Sequence, residues 1–266
     1  MKPNRLRAKI AAGEPSLGVR LIGIWPGMVE IVGNIGTFDY VEYLGEFSAW
    51  TLPDLENFAR ATELCNMSSM IKTDQNCRGF IAQRALGSGI QNILFCDIRT
   101  REEAEECVRI VRAETPATKG INGITSRRNV GYFGGSTAVE YVKAMDDAIV
   151  GIMIEKKEAI ENLDAILSVK GIDMVQFGPN DYSLSIGYPG ENNHPKVKEA
   201  ELQMITMAIE KGIRPRVEIG STKYDVEKLK QLTRLGVRDF SMPAEGKIVF
   251  DWLSEHGKAV RSVLEG

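Results

Sequence analysis

Apolar positions fall in two alternating patterns along the chain. Short runs such as Ile149-Val-Gly-Ile-Met-Ile154 and Met174-Val-Gln-Phe177 alternate with longer stretches whose apolar residues recur three to four positions apart. The short runs predict strands buried on both faces, and the longer stretches predict amphipathic helices. On this pattern strands fall near 17–24, 40–45, 69–72, 92–96, 149–154, 174–177, 216–219 and 239–242. Helices fall near 26–35, 52–65, 78–87, 100–113, 157–170, 196–211, 223–235 and 247–264. Eight β–α pairs in 266 residues predict an α/β fold, a (β/α)8 TIM barrel forming a single domain over residues 1–266. A doubly wound open sheet is the runner-up, disfavoured because no Gly-rich phosphate turn follows the first strand.

Local signals agree with these elements. Thr100-Arg-Glu-Glu103 has the spacing of a capping box, Gly171 and Gly212 stand just past helical runs, and Pro195 suits a first helical turn after His194. The long Gly-rich stretch 115–136, with Arg127 and Arg128, has no periodicity. It is expected at the end of the barrel where β–α loops build sites, as a lid or an oligomer contact.

Two acids, Glu155 and Asp181, stand where predicted strands stop. The intervening helix returns the chain so that both strands run the same way with their carboxyl ends together, which brings both acids to one rim. Two carboxylates facing one crevice suit a hard divalent cation rather than zinc, with its remaining positions left to water and a chelating substrate.

Composition narrows the picture further. With 43% hydrophobic and 26% charged residues the chain buries a large core, and a net charge of -3 gives no reason for a nucleic-acid or anionic-membrane partner. No run approaches the roughly 20 apolar residues of a membrane span, and the first residues are polar and basic, so a cytoplasmic location is expected. Cys65, Cys77, Cys96 and Cys107 lack metal-ligand spacing and read as free thiols.

The stretch Gly171-Ile-Asp-Met-Val-Gln-Phe-Gly-Pro-Asn-Asp-Tyr-Ser-Leu-Ser-Ile-Gly187, with Ile154-Glu155 and Glu161-Asn-Leu-Asp-Ala-Ile166, resembles the HpcH/HpaI aldolase/citrate lyase family, especially its 4-hydroxy-2-oxoacid aldolases. Gly36-Thr-Phe-Asp-Tyr-Val41 and Gly45-Glu46 extend the resemblance. It implies a barrel with a swapped last helix, homo-oligomers from dimers to hexamers, and a divalent metal, Mg2+ or Mn2+, that chelates a small-molecule 2-oxoacid. Carried over by position, Glu155 and Asp181 are the implied metal ligands. Gly178, Pro179 and Asn180 form the implied substrate turn, where the backbone amides of Asn180 and Asp181 hold the pyruvate carboxylate.

Other positions depart from the family pattern. Phe47 stands where a His base is expected, Leu44 where an acid precedes the Gly, and Lys72 where an Arg contacts the enolate oxygen. An acid that partners the His across subunits aligns near Gly87, and the expected Arg-Gly is Asn122-Gly123. The chain's two histidines, His194 and His256, read as capping or surface residues. Catalytic work therefore passes to Lys72 and Glu46, with Tyr43, Arg127 and Arg128 as further candidates and Phe47 shaping the substrate site. Two roles are open to Lys72: holding an enolate or carboxylate charge, or, with burial lowering its pKa, acid–base work.

These residues lead to an expectation of metal-dependent retro-aldol cleavage of a 4-hydroxy-2-oxoacid. Two alternatives remain open: oxaloacetate decarboxylation or another enolpyruvyl reaction on the same scaffold, and a non-catalytic barrel that binds metal and 2-oxoacid.

Overall fold

The computed structural model describes residues 2–220 and 226–266. Its elements run α1 (Arg5–Ala11), β1 (Ser16–Leu21), α2 (Pro26–Ile35), β2 (Tyr40–Tyr43), α3 (Leu52–Leu64), β3 (Ser68–Thr73), α4 (Arg78–Ser88), β4 (Asn92–Phe95), α5 (Arg101–Val111) and α6 (Ala138–Asp146). There follow β5 (Ile149–Ile154), α7 (Lys157–Glu161), α8 (Leu163–Leu167), β6 (Met174–Phe177), α9 (Pro179–Ser185), α10 (Pro195–Glu210), β7 (Arg214–Glu218), α11 (Val226–Leu235), β8 (Asp239–Ala244) and α12 (Glu245–Glu265). The strands close in sequence order into a parallel barrel, with β1 paired to both β2 and β8. This is the (β/α)8 TIM barrel expected from the alternating pattern.

Alternate strand residues serve two cores. Val41, Tyr43, Ile71, Ile93, Val150, Ile152 and Val175 point outward into the layer between sheet and helices. Tyr40, Met70, Leu94, Cys96, Met153 and Met174 belong to an inner cluster completed by Leu6. Because each strand is covered on both faces, runs such as Ile149–Ile154 are buried throughout, which is why they read as continuous apolar segments.

Several elements differ from the sequence pattern. Helix α1 was not anticipated; it closes the N-terminal face of the barrel with a fully buried Leu6 and an Arg7 fork on Asp173 at 2.7 and 2.8 Å. The first strand ends at Leu21 rather than residue 24, because the amides of Ile22 and Gly23 donate to the Glu245 carboxylate at 2.7 and 2.6 Å instead of to the sheet. The helix expected at 157–170 is broken at Asn162, whose side-chain amide donates to the Arg99 carbonyl at 3.0 Å. The start expected for the helix at 223–235 lies outside the described residues.

The placement of the 115–136 stretch is a clear correction. It joins the end of α5 to α6 and the start of β5, so it lies on the N-terminal face, opposite the mouth formed by the carboxyl ends of the strands. Arg128 forks onto Glu63 of α3 at 2.9 and 2.7 Å, and Arg127 donates to the Gln83 carbonyl of α4 at 3.0 Å. These arginines anchor the loop to its own barrel. They do not serve the site at the strand ends, and the loop is no lid over it.

Candidate active site

The mouth gathers charged residues from successive strand ends. Glu155 follows β5 and is 3% exposed; Lys72 lies near the end of β3 and is 7% exposed. Asp181 sits in the first turn of α9, immediately beyond β6, with its side chain half exposed. β5 and β6 are hydrogen-bonded neighbours, so the chain brings the two acids to one rim as their positions predicted.

Glu155 is held in place from two sides. Its Oε1 accepts the Asp97 amide at 2.7 Å, an amide presented by a left-handed turn with φ 58° at Asp97. On the other side, a Cβ added at position 178 would stand 2.6 Å from both the Cβ and the Oε2 of Glu155. Gly178 is therefore required by the carboxylate beside it, which gives this member of the expected substrate turn a steric role. Burial raises the Glu155 pKa above the ordinary glutamate value against the opposing pull of Lys72 and the Asp97 amide, and the charge of Asp181 adds to the rise.

Two acids that repel across a partly dry crevice, offering only oxygen donors, fit a hard divalent cation placed between them. Among the described residues no group of three or more His, Cys, Asp and Glu forms a closed cage. A pair with open coordination positions suits a catalytic ion that must also bind substrate, rather than a structural one. The amides of Asn180 and Asp181 precede the first intrahelical bond of α9, which Tyr182 donates to the Gly178 carbonyl at 2.9 Å, so both lack an intrahelical acceptor. Pro179 opens the helix and has no donor to lose. The Asn180 side chain is engaged by Asn192, leaving the backbone as this residue's contribution to the turn.

Lys72 faces Glu46 at 2.5 Å, and its ammonium stands 4.7 Å from the centre of the Phe47 ring. Burial opposes its charge, yet the carboxylates of Glu155 and Glu46 outweigh burial and leave the Lys72 pKa above the ordinary lysine value. Of the two roles open to Lys72, these surroundings favour the one that holds negative charge, and they oppose its use as a base or nucleophile. Tyr43 is also set aside, because its ring lies 5.8 Å from Phe58 in the helix layer and burial pushes its hydroxyl up to about 12. His194 caps α10, accepting from the Lys196 amide at 3.2 Å, and His256 stacks on Trp252 in an exposed helix.

Three residues at the mouth were not among the candidates for the site, although Cys96 reads as a free thiol at a strand end. Cys96 and Asp97 follow β4 as Glu155 follows β5, and the same strand-end logic would have found them. Burial pushes the Cys96 thiol far up, in a field set also by Glu46, Glu155 and Lys72, so it stays protonated. Lys156 stands 3.3 Å from Asp181 and 3.8 Å from Asp97. Its place directly after Glu155 was the available signal.

A closed parallel barrel with two acids and a buried cation gathered at the carboxyl ends of its strands has the architecture of a (β/α)8 enzyme, with its charged groups at the end where such barrels carry their sites. A model of the HpcH/HpaI aldolase/citrate lyase family matches residues 50–247. The 2-keto-3-deoxy-L-rhamnonate aldolase of Klebsiella pneumoniae is 31% identical over 202 residues, covering 76% of this chain and 74% of the relative. The 4-hydroxy-2-oxo-heptane-1,7-dioate aldolase of Escherichia coli is 29% identical over 224 residues, covering 82% and 81%. The crystal structure of an HpcH/HpaI aldolase from Desulfitobacterium hafniense superposes with a TM-score of 0.86 at 24% identity, covering 97% of each chain. The chain belongs to the HpcH/HpaI aldolase/citrate lyase family of carbon–carbon lyases, whose members generally depend on a divalent metal.

Proposed function

We propose that this protein cleaves a 4-hydroxy-2-oxoacid to pyruvate and an aldehyde with the help of a divalent cation, Mg2+ or Mn2+, held by Glu155 and Asp181. The observation that carries this reading is the juxtaposition of the two acids just beyond adjacent strand ends, at the mouth that also holds the buried Lys72–Glu46 ion pair. The cation, when bound, supplies Lewis acidity toward the 2-oxo group, an effect of several kcal/mol. The free amides of Asn180 and Asp181 hold the substrate carboxylate. Lys72 faces the C2 oxygen and offsets the charge that develops there as the C3–C4 bond breaks. Glu46 accepts the proton of the C4 hydroxyl as the C3–C4 bond electrons pass into the enolate, and once the aldehyde has left, that proton is returned to C3 to give pyruvate and restore the Glu46 carboxylate. Phe47 covers Lys72 and excludes water from one side of the ammonium.

The test is pyruvate release, followed with a coupled dehydrogenase, from a panel of 4-hydroxy-2-oxoacids with each metal. A magnesium- or manganese-supplemented protein that releases none from any of them sinks the proposal. A second reading is oxaloacetate decarboxylation, which loses carbon dioxide to the same enolate and needs no base on the aldehyde side. Phe47 in the position of an expected base, with Lys72 in surroundings that oppose its use as a base, favours it. Turnover of oxaloacetate alone would select it.

Assembly belongs to the same proposal. Helix α12 has 21 residues and none is buried; Val249, Phe250, Trp252, Leu253, Val260, Val263 and Leu264 are all exposed. We read this face as covered by a second copy of the chain in a homo-oligomer, and gel filtration with light scattering tests it. Among the described residues no helix is long and apolar enough to cross a membrane, and the proposed compartment is the cytoplasm.

A further inference from the structure

The loop that joins α9 to α10, Gly187-Tyr-Pro-Gly-Glu-Asn-Asn-His194, takes no part in the proposed chemistry. Both of its glycines adopt the left-handed backbone, with φ 83° at Gly187 and 80° at Gly190. Backbone bonds fold it into successive turns: the Tyr188 amide donates to the Ser183 carbonyl at 2.8 Å, Glu191 to Tyr188 at 3.1 Å and His194 to Glu191 at 2.9 Å. The Tyr188 ring stacks on that of His194, the cap of α10, with centres 3.8 Å apart. The loop is thus fixed at both ends, and it sends one side chain back to the mouth. Asn192 donates through Nδ2 to Asn180 Oδ1, and its own Oδ1 lies 3.5 Å from the hydroxyl of Ser183. Ser183 is fully buried and its hydroxyl donates to the Asn180 carbonyl at 2.8 Å.

Helix α9 needs such a hold. At seven residues it has little stability of its own, and it begins without a side-chain cap. A Ser, Thr, Asp or Asn at the cap position accepts from the second or third amide of a helix and so orients its first turn. In α9 that position is Gly178, and the Cβ and Oε2 of Glu155 fill the space a side chain would need there. The second and third amides belong to Asn180 and Asp181. A capping oxygen would consume the donors that the substrate carboxylate requires, so the first turn has to be oriented by something other than a cap. Asn192 does this by gripping the Asn180 side chain, and neither amide is used in doing so.

We propose that Asn192 is a positioning residue for the 2-oxoacid site: it replaces the missing helix cap and, acting through the Asn180 side chain, orients the Asn180 and Asp181 amides toward the substrate carboxylate. The proposal rests on the 2-oxoacid reading above. Among the described residues Asn192 makes no hydrogen bond to Glu155 or to the Asp181 carboxylate, so its loss reaches the bound anion and spares the metal.

The test is calorimetric titration of oxalate into the Mn2+-supplemented protein, with Mn2+ affinity followed separately by electron paramagnetic resonance. It uses Asn192→Ala, Asn180→Ala and the double variant. Asn192→Ala is expected to weaken oxalate binding by about three- to tenfold, as loss of one orienting hydrogen bond does, with Mn2+ affinity unchanged. Asn180→Ala keeps its backbone amide and removes the same contact from the other side. It is expected to match Asn192→Ala, and the double variant to bind oxalate no more weakly than either single one, the signature of two residues acting as a unit.

Unchanged oxalate affinity in Asn192→Ala, an equal loss of Mn2+ affinity, or losses that add in the double variant overturns the proposal and leaves the 2-oxoacid reading standing. If Asn192→Ala does not fold, Asn180→Ala decides the matter, and undiminished oxalate binding by it overturns the proposal. An unaltered protein that binds Mn2+ but no oxalate removes the 2-oxoacid reading and the proposal with it.

Discussion

The two ends of this barrel use the same kinds of residue to opposite effect. At the N-terminal face the buried charges are paired: Asp239, fully buried, accepts from Ser16 at 2.5 Å and from Arg214 at 2.6 Å, and Asp173 accepts the Arg7 fork. At the mouth, Glu155 is destabilised by burial and by Asp181, and polar atoms of Arg20, Glu42, Gln176 and Arg216 are left open. The paired networks at the N-terminal face hold the barrel shut, whereas the mouth keeps its charges crowded and partly unpaired. The contrast teaches that a buried charge is read by what surrounds it, not by its burial alone.

The largest expected effect that would break this contrast is at the acids. Asp181→Asn should lower pyruvate release by about a thousandfold or more, since the Lewis acid supplies several kcal/mol and each 1.4 kcal/mol is tenfold. The melting temperature should stay close to that of the unaltered protein, because Asp181 is half exposed. Lys72→Met should cost about 10²- to 10³-fold in kcat, as loss of one preorganised charge donor does. Retained activity in a steady-state assay would assign the cation a packing role. At the opposite face, Asp239→Ala should destabilise by about 3–5 kcal/mol through the unpaired Arg214. Chemical denaturation checks it, and kcat of the folded fraction should be unchanged.

The smallest expected effect is a pH dependence. A raised Glu155 pKa means that the carboxylate is protonated at a higher pH than an ordinary glutamate. Affinity for Mn2+ should therefore fall as pH drops toward the raised pKa, by at most about tenfold per unit for this one group. In metal-free protein the Glu155 contribution has the opposite sense. The folded state holds this proton more tightly than the unfolded one, so the contribution to stability rises as pH falls through the raised pKa and levels off below the unfolded value. Manganese titrations and melting curves across the same pH range separate the two effects.

Much of the fold was legible because periodicity is local. β5 and β6 were delimited to the residue, each being an apolar run closed by a polar or glycine boundary. Helix α1 was missed because its role depends on a single Leu6 reaching the barrel interior. The 115–136 stretch was placed at the wrong end because its length suggested function, whereas its place between a helix and the next strand fixes the N-terminal face. Glu155, Asp181 and Lys72 were legible as charged groups at strand ends. The Arg20–Glu218 ion pair was not, because it is a pairing across 198 positions of sequence that only the closed barrel creates. The choice between the two roles open to Lys72 was not legible in the sequence, since the carboxylates beside it, Glu46 and Glu155, come from beyond other strand ends.

Gly178 carries a consequence for how this sequence can change. A Cβ at that position would overlap both the Cβ and the Oε2 of Glu155, so the space at 178 and the placement of the acid at 155 are sterically coupled. A mutational scan scored by growth on the substrate should show Gly178→Ala as intolerant as loss of the acid itself. Restoring it would take a second change that moves the neighbouring strand end, so a lineage that gives up this glycine has little route back to the same chemistry.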